Sequence, residues 1–332
     1  MELFEMSPKS RAAVLEFLLA HEDRCVALTE RVLRNAGRTF FLAETERGEP
    51  YISGVISLSK SGTLLHCLPF AGQLSQKSRG RIGNATELFA PFFAENPIFC
   101  LSGETNGSAL LENAVHLCAV QSVLEAHDYY RMEYDEERDS VFRRAEQKKE
   151  KEEAQSVREE RVQNYGLSIS ADTKSDGDDD TVALKDTGTI IKCTSADVAK
   201  LLPLQMQYDR EEVLLRTMEA DEDDCRLRLS GMLRLQDIFA DVIGGEIVAK
   251  AGTNAKGKNW VQLGGVFTKP LYRRLGIAGR LVSHAARYAA AEGKQTTLFV
   301  RELNTCAFHS YERAGFIRRG SYRIVYFDGF DA

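Results

Sequence analysis

No stretch of the 332-residue chain approaches the ~20 consecutive apolar residues that a membrane-spanning helix needs. The N-terminal sequence MELFEMSPKSR lacks the basic start and apolar block of a secretory signal, so we expect a cytoplasmic protein. The seven cysteines form no CxxC pair, and the six histidines show no ligand spacing. This scatter favours reduced thiols over disulfides or a zinc site, and we expect no bound metal.

An excess of positive charge is also absent. The formal net charge is −6, which argues against a surface that neutralises nucleic-acid phosphates. Residues 135–186 alone contain sixteen acidic and ten basic residues, so the negative excess belongs to this segment. We predict a solvated charged helix over part of 135–166, where apolar residues are too sparse to bury a face, with a disordered tether as the alternative. An acidic linker follows over 167–186.

The rest of the sequence divides into an N-terminal half, residues 1–134, and a C-terminal half, residues 187–332. Both halves mix helical periodicity with strand-like runs, which predicts an α/β fold on a mixed sheet. The expected N-terminal elements are a helix near residues 8–19, three strands within 39–70, a strand at 98–101, a helix over 109–126 and a strand at 129–134.

The C-terminal half predicts strands followed by strand, loop, helix, strand, helix and strand. Thr194 or Ser195 can cap its first helix, in which Pro203 predicts a break or kink. Residues 221–224 are expected to interrupt the helical pattern. The later elements are expected at 240–243, 246–253, 260–268, 277–292, 296–301, 305–314 and 321–327. Gly293 is expected to end the helix at 277–292.

The most informative feature is the junction that follows the strand at 260–268. Small residues at Gly276 and Ala278 open a helix there, and free backbone N–H groups and the helix dipole favour an anion at such a point. Arg273 and Arg274 add positive charge. The junction lacks the GxxxxGK[ST] pattern of nucleotide triphosphatases and the GxGxxG of dinucleotide folds. It predicts a pyrophosphate site, with an ordinary helix start and a surface arginine pair as the alternative.

The sequence RRLGIA at 273–278 resembles the Q/R-x-x-G-x-G/A motif of the GNAT superfamily of acyl-CoA-dependent N-acyltransferases. The strand VQLGGVFT before it is similar to the strand that holds the pantetheine arm in that family. Downstream, Asn304, Tyr311 and Gly315 are similar to the family's second motif. The resemblance covers residues 187–332. It implies a sheet whose fourth and fifth strands diverge, with acyl-CoA between them.

The resemblance further implies acetyl-CoA as cosubstrate and suggests where it binds. Val266 and Thr268 would meet the pantetheine amides through their backbone, and the Val266 N–H could polarise the thioester carbonyl. The pyrophosphate would lie on the backbone of the glycine-containing junction. The implied cofactor-binding residues are Val266, Phe267, Thr268, Arg273, Arg274, Leu275, Gly276, Ile277, Ala278, Gly279 and Asn304.

Tyr311 stands where many relatives place a general acid. A phenol with a pKa of about 10 can protonate a departing thiolate that is held close to it, although packing on the sheet is the alternative. Glu246 and Glu302 are candidate bases for the incoming amine. A water relay is a further alternative, because Gln262 stands where some relatives carry a carboxylate. The resulting prediction is acetyl transfer to a primary amine by direct attack.

The acceptor is expected to be a small-molecule amine, an amino acid or a peptide, with no nucleic acid or membrane as partner. Two other functions remain open. The chain could hold acyl-CoA as a sensor or scaffold without turnover, or it could transfer an aminoacyl group from charged tRNA. The acidic composition disfavours the second of these.

The N-terminal half runs roughly parallel to the C-terminal half in its order of elements. This suggests a second, degenerate GNAT-like copy, with an unrelated α/β domain as the alternative. Where a phosphate loop is due, residues 75–87 read SQKSRGRIGNATE and do not meet the motif in register. We therefore expect no acyl-CoA site there. This half could complete the acceptor pocket or bind a regulator.

Overall fold

The computed structural model of the protein describes residues 1–72, 76–145, 148, 188–213 and 221–329. The strands of the N-terminal half are β1 (Glu2–Glu5), β2 (Arg38–Glu46), β3 (Glu49–Leu58), β4 (Thr63–Cys67), β5 (Cys100–Glu104) and β6 (Val123–Tyr134). Its helices are α1 (Arg11–Leu19), α2 (Glu22–Leu33), α3 (Gln76–Glu95) and α4 (Thr105–Cys118). Helix α5 follows and is described over 136–145.

The strands of the C-terminal half are β7 (Thr189–Lys192), β8 (Ile238–Ile243), β9 (Glu246–Lys256), β10 (Trp260–Thr268), β11 (Gln295–Arg301) and β12 (Phe316–Phe327). Its helices are α6 (Val198–Tyr208), α7 (Glu222–Leu235), α8 (Ile277–Ala291) and α9 (Thr305–Arg313). A π-helical turn, Asp209–Val213, continues α6, and a 3-10 turn, Pro270–Tyr272, precedes α8. No helix in the described part of the chain is long and apolar enough to cross a membrane.

The described strands form one mixed sheet in the order β1-β2-β3-β4-β5-β12-β6-β11-β10-β9-β8-β7. The expectation of a mixed α/β fold is therefore confirmed. Each half follows the same succession: a strand, two helices, three strands, a helix, a strand, a helix and a last strand. In both halves the fourth and fifth strands are parallel neighbours, β4 with β5 and β10 with β11.

The last strand of each half lies in the other half's part of the sheet. Strand β6 pairs antiparallel with β11 of the C-terminal half, with Tyr129 opposite Arg301. Strand β12 pairs with β5 of the N-terminal half and also with β6. The two halves that we expected to be separate α/β units are thus joined in one continuous sheet.

Helix α8 shows how local sequence and core packing agree. Its apolar residues recur every four positions, so one face of the helix is buried against the sheet. The helix ends before Gly293, whose φ of 73° is the left-handed conformation that a helix terminus commonly needs. The buried face comprises Ile277, Leu281, Ala285 and Ala289, all at most 5% exposed.

Several expected boundaries differ from the structure. Helix α6 continues through Pro203 instead of breaking, and Pro203 is exposed. We attribute this tolerance to water, which can reach the backbone carbonyl that the proline leaves without a partner. Residues 221–224 do not interrupt a helix but begin α7, because the Asp221 side chain accepts a hydrogen bond from the Asp224 N–H at 2.8 Å. The Thr194 cap is confirmed by a capping box with Asp197.

In the N-terminal half, residues 76–87 belong to helix α3 instead of a loop. The expected helix over 109–126 is shifted, because α4 starts at Thr105 and ends at Cys118. Ala119 then adopts a left-handed φ of 53°, which stops the helix and lets β6 begin at Val123. Local periodicity alone does not mark this stop, since alanine is a good helix former.

Helix α5 is the described start of the charged segment, and the rest of that segment lies outside the described residues. Its Asp139 is only 2% exposed. The carboxylate accepts hydrogen bonds from Tyr134 Oη at 2.8 Å, Ser283 Oγ at 2.7 Å and an Arg287 nitrogen at 3.0 Å. The first turns of α5 are therefore docked on α8 through one buried carboxylate, while the other described residues of 136–145 are exposed or half-buried, as expected for a solvated helix.

Candidate active site

A gap opens in the sheet where β10 and β11 separate. The two strands pair in parallel from Trp260 with Gln295 to Leu263 with Leu298, and no further. Beyond that point β10 stays paired with β9 as far as Thr268. Backbone groups on the β11 side of β10 are left without a strand partner there, which creates room for an extended ligand to pair with the strand.

A β-bulge shapes the strand along this gap. One extra residue lies between Gly264 and Phe267 relative to β9, and Gly265 adopts a left-handed φ of 58°. Beneath it, the Lys250 ammonium donates a hydrogen bond to the Gly265 carbonyl at 2.8 Å. Lys250 is 3% exposed, and this burial lowers its pKa to about 8. The lysine therefore helps to fix the direction of the backbone at the bulge.

The junction between β10 and α8 forms an open cradle of backbone N–H groups. Arg274 and Gly276 both have positive φ, 68° and 75°, and Gly276 caps α8 without any side-chain hydrogen bond. No atom lies within 4 Å of the place where a Gly276 Cβ would stand. Such free donors at a helix N-terminus bind anions. The residues that we predicted to hold a pyrophosphate are thus brought together.

The two arginines of the cradle differ in their partners. Arg273 donates to the Thr268 carbonyl at 3.0 Å and forms an ion pair with Glu211 at 2.7 Å. Its guanidinium also lies 5.3 Å from the centre of the Phe267 ring. Arg274 is exposed and has no ion pair with any described residue. Arg274 is therefore the cation that is available to an incoming phosphate.

Thr268, at the end of β10, carries a further sign of a ligand site. Its Oγ1 atom is buried and has no hydrogen-bond partner among the described residues. A buried hydroxyl without a partner is costly, and a bound amide or phosphate would satisfy it. Across the gap, the Asn304 side chain accepts a hydrogen bond from the Ala307 N–H at 3.0 Å and so begins α9. The Asn304 amide N–H groups make no hydrogen bond with described residues.

Tyr311 projects from α9 and is 7% exposed. Its hydroxyl makes no hydrogen bond with a described residue. Burial raises the pKa of Tyr311, and the neighbouring Tyr208 and Glu212 raise it further. The phenol is therefore protonated at neutral pH, which is the state that a general acid needs.

The two carboxylates that we named as candidate bases occupy different places. Glu246 is exposed at the start of β9, where it pairs with Lys269 and lies 3.5 Å from the Tyr272 hydroxyl. Lys269 lowers the pKa of Glu246, which disfavours proton uptake near neutral pH. Glu302 follows β11, and its backbone N–H donates to the Asp128 carbonyl at 3.0 Å. Neither residue is among the groups whose charge acts on Tyr311.

Four residues that sequence reasoning missed contact one another or the strands that border the gap. Glu212 lies in the turn after α6, and its carbonyl accepts a hydrogen bond from Arg301 at 3.1 Å. Tyr208 packs edge-on against Phe267 with ring centres 6.1 Å apart. The remaining two are Arg301 on β11 and Tyr129 on β6. No sequence motif marks these residues, because the fold brings them together from four separate elements.

The equivalent gap in the N-terminal half is filled. Strands β4 and β5 pair in parallel only from Thr63 to Leu65 on the β4 side. The His66 ring then lies against the bare backbones of Gly103 and Gly107, where an added Cβ would be 2.1 and 2.6 Å from ring atoms. The ring bonds Ser108 Oγ at 2.9 Å, and burial lowers the pKa of His66 to about 3. A neutral imidazole thus occupies the place where the other half is open.

Comparison with known proteins identifies the class. Residues 200–316 match the family model described as Acetyltransferase (GNAT) family. A comparison with curated proteins gives no match. The family resemblance that the sequence motifs carried is therefore confirmed for the C-terminal half.

One solved structure extends the similarity of fold over nearly the whole chain. The X-ray structure of a Drosophila protein is 12% identical, with a TM-score of 0.59 and 98% of each chain covered. An acetyltransferase of the GNAT family from Colwellia psychrerythraea is 10% identical, with a TM-score of 0.49, 98% of this chain and 99% of that chain covered. At 12% sequence identity, the comparison with the Drosophila protein supports the fold and no statement about activity or substrate.

Proposed function

We propose that the C-terminal half is an N-acetyltransferase that moves an acetyl group from acetyl-CoA to a primary amine within a ternary complex. The acceptor is a small-molecule amine, an amino acid or a peptide. The observation that carries this proposal is the gap between β10 and β11, which opens directly beside the cradle at Arg274 and Gly276. A pantetheine arm and a pyrophosphate need these two features next to each other.

The residues present fit acetyl-CoA. On the side of β11, the backbone of β10 from Gly264 to Thr268 has no strand partner and offers amide partners for pantetheine, and the buried Thr268 hydroxyl offers a further one. The space around Gly276 admits a phosphate close to the main chain. Arg274 supplies a positive charge that no described residue neutralises. Asn304 is placed on the opposite side of the gap, at the start of α9.

The thioester supplies an activated acyl carbon and a thiolate leaving group. The Val266 N–H, which the bulge directs, lowers the energy of negative charge on the acyl oxygen. Tyr311 is held protonated by its surroundings and gives its proton to the leaving sulfur. The amine attacks only after it has lost a proton, so a carboxylate or a water bound to one must accept it.

Three carboxylates are candidates for this proton transfer. Glu246 and Glu302 follow from the sequence, but neither acts electrostatically on Tyr311. Glu212 does so, and it also raises the pKa of Tyr208. In our proposal Glu212 receives the proton, directly or through a water, because its charge raises the pKa of Tyr311 and its backbone carbonyl is bonded to Arg301 at the end of β11.

The N-terminal half takes no acyl-CoA in this proposal. The position of the His66 ring supports this assignment, since an acyl chain and the imidazole need the same space. The sequence over 75–87, which does not meet the phosphate motif in register, agrees with it. The N-terminal half is then a degenerate copy whose role in the C-terminal half's activity is other than binding acyl-CoA.

The test is release of free CoA thiol from acetyl-CoA in the presence of a panel of primary amines. Wild-type protein should release thiol with at least one amine, and Tyr311→Phe should lower kcat by about 100-fold, as expected for loss of a general acid. Tyr51→Phe, which alters an exposed tyrosine on β3 of the N-terminal half, is the control. Tight binding of acetyl-CoA without thiol release on any amine would instead support a sensor.

A further inference from the structure

Strand β6 brings residues of the N-terminal half to the edge of the gap. It is the direct neighbour of β11, and its Tyr129 lies opposite Arg301, the last residue of that strand. Because β10 has already separated from β11 at this level, Tyr129 is placed one strand away from the opening. The strand next to β11 in the C-terminal half is therefore β6, which belongs to the N-terminal half.

The two faces of β6 have different surroundings. Tyr130 packs edge-on against Phe308 of α9, with ring centres 5.3 Å apart, and Met132 is fully buried in the core with α8. Side chains alternate along a strand, so Tyr129 and Arg131 lie on the opposite face. Arg131 there forms an ion pair with Asp23 of α2 at 3.0 Å. Tyr129 thus faces the side of the sheet on which α2 and α6 pack.

On this face Tyr129 is the cross-strand neighbour of Arg301, whose guanidinium donates to the Glu212 carbonyl at 3.1 Å. Burial raises the pKa of Tyr129, the adjacent Arg301 guanidinium lowers it, and the Glu212 carboxylate raises it again. Tyr129 in turn acts on Tyr208. Tyr208 and Glu212 are also the groups that act on Tyr311. A phenol from the N-terminal half therefore belongs to the same set of side chains as the proposed acid.

Charges of both signs are present in this set. Glu212 is an exposed carboxylate, and Arg301 uses one nitrogen for the Glu212 carbonyl while its other N–H groups remain for Tyr129 and a ligand. A carboxylate beside a guanidinium matches a ligand that carries an ammonium beside an anionic group. A simple alkyl amine carries only the ammonium, so it would pair with the carboxylate and leave the guanidinium without a partner.

We propose that Tyr129 of the N-terminal half is a specificity residue of the C-terminal active site, and that the acceptor is a primary amine with a neighbouring carboxylate, as in an amino acid. Glu212 receives the amine, and Arg301 and the Tyr129 hydroxyl bind the carboxylate. This inference rests on the proposed acetyltransferase function. It gives the degenerate half a role in acceptor choice without any cofactor of its own.

The experiment compares matched pairs of acceptors, each an amino acid and its decarboxylated amine: phenylalanine with phenethylamine, and lysine with cadaverine. We expect wild-type kcat/KM to favour the amino acid in at least one pair. Tyr129→Phe should reduce that preference by about 3- to 10-fold, the loss of one hydrogen bond, through a higher KM for the amino acid. The dissociation constant of acetyl-CoA, measured by calorimetry, should not change.

Tyr130→Phe is the control, because it removes a hydroxyl from the same strand on the other face. Thermal unfolding of both variants separates a local effect from a loss of fold. A wild-type preference for the decarboxylated amines, or an amino-acid preference that Tyr129→Phe leaves intact, overturns this inference while acetyl transfer stands. If wild-type protein releases no CoA with any amine, the proposed function fails and this inference fails with it.

Discussion

Glu22 of helix α2 accepts a hydrogen bond from the backbone N–H of Asn259, 2.9 Å away, in the turn between β9 and β10. It also accepts one from the N–H of Lys258. Glu22 is 1% exposed, so an N-terminal carboxylate is buried against a C-terminal turn. The contact ties the degenerate half to the strand that leads into the cofactor gap.

Glu22→Ala should destabilise the whole chain. Two part-buried N–H groups would lose their acceptor, which should lower the free energy of unfolding by about 2 kcal/mol. Urea denaturation measures this change. Glu16→Ala, at an exposed position on the neighbouring helix α1, should have little effect. Equal stability of the two variants would show that water replaces the Glu22 carboxylate in the turn.

Gly276→Ala should weaken acetyl-CoA binding, and Gly293→Ala should not. Both glycines have φ near 75° with no atom within 4 Å of a Cβ position, so the two substitutions add similar backbone strain. Only Gly276 lies in the cradle, where a Cβ would hold a phosphate away from the N–H groups. We expect at least a tenfold rise in the dissociation constant by calorimetry for Gly276→Ala alone. A similar loss of affinity in both variants would point to the fold instead of the cradle.

Glu212→Gln should lower kcat/KM for the best amine about 100-fold near neutral pH, because a neutral amide cannot accept the amine proton. Glu246→Gln and Glu302→Gln should have smaller effects, since neither carboxylate acts on Tyr311. Glu292→Gln, at the exposed end of α8, is the control for removal of a surface charge. A larger loss for Glu246 or Glu302 would transfer the role of base to that residue.

Lys250 should make stability depend on pH in the alkaline range. Its pKa is about 8 in the folded protein, against about 10.4 for an unfolded lysine. The unfolded chain therefore binds more protons between these values, and stability rises with pH there. From pH 7.5 to 10, the free energy of unfolding of the wild type should increase by about 2 kcal/mol relative to Lys250→Met.

The exposed Lys200, replaced by Met, is the control for this titration. Its stability should follow that of the wild type across the same range. If the difference between wild type and Lys250→Met does not vary with pH, Lys250 carries the same charge in both states. Its hydrogen bond to Gly265 would then be made by an ordinary ammonium.

The sequence was most informative where local pattern and chemistry coincide. Strand β10 has the bounds that its apolar run predicts, and α8 differs by one residue at its end, because a strand beside a capped amphipathic helix is specified locally. The cradle residues could be named for the same reason. Their roles in binding and catalysis remain predictions.

The parts of the fold and of the candidate site that the sequence does not predict depend on pairing between segments that are far apart in the chain. Nothing in residues 123–134 indicates that β6 leaves its own half, because strand partners are chosen by contacts far apart in sequence. The pairing of Tyr129 with Arg301 therefore could not be predicted from the sequence. Glu212 does not stand out in the sequence because it lies in a run of charged residues. Asp139 does not stand out because the composition of its segment is typical of solvent exposure.

The exchange of β6 and β12 has a consequence for synthesis of the chain. When β6 leaves the ribosome, both of its neighbours, β11 and β12, have still to be translated, and β12 ends 193 residues after β6. At about 5–20 residues per second, this leaves a partly apolar strand with two open edges for about 10 to 40 seconds. Chaperones that shield unpaired strands should therefore matter more for this protein than for a relative whose halves complete their own sheets.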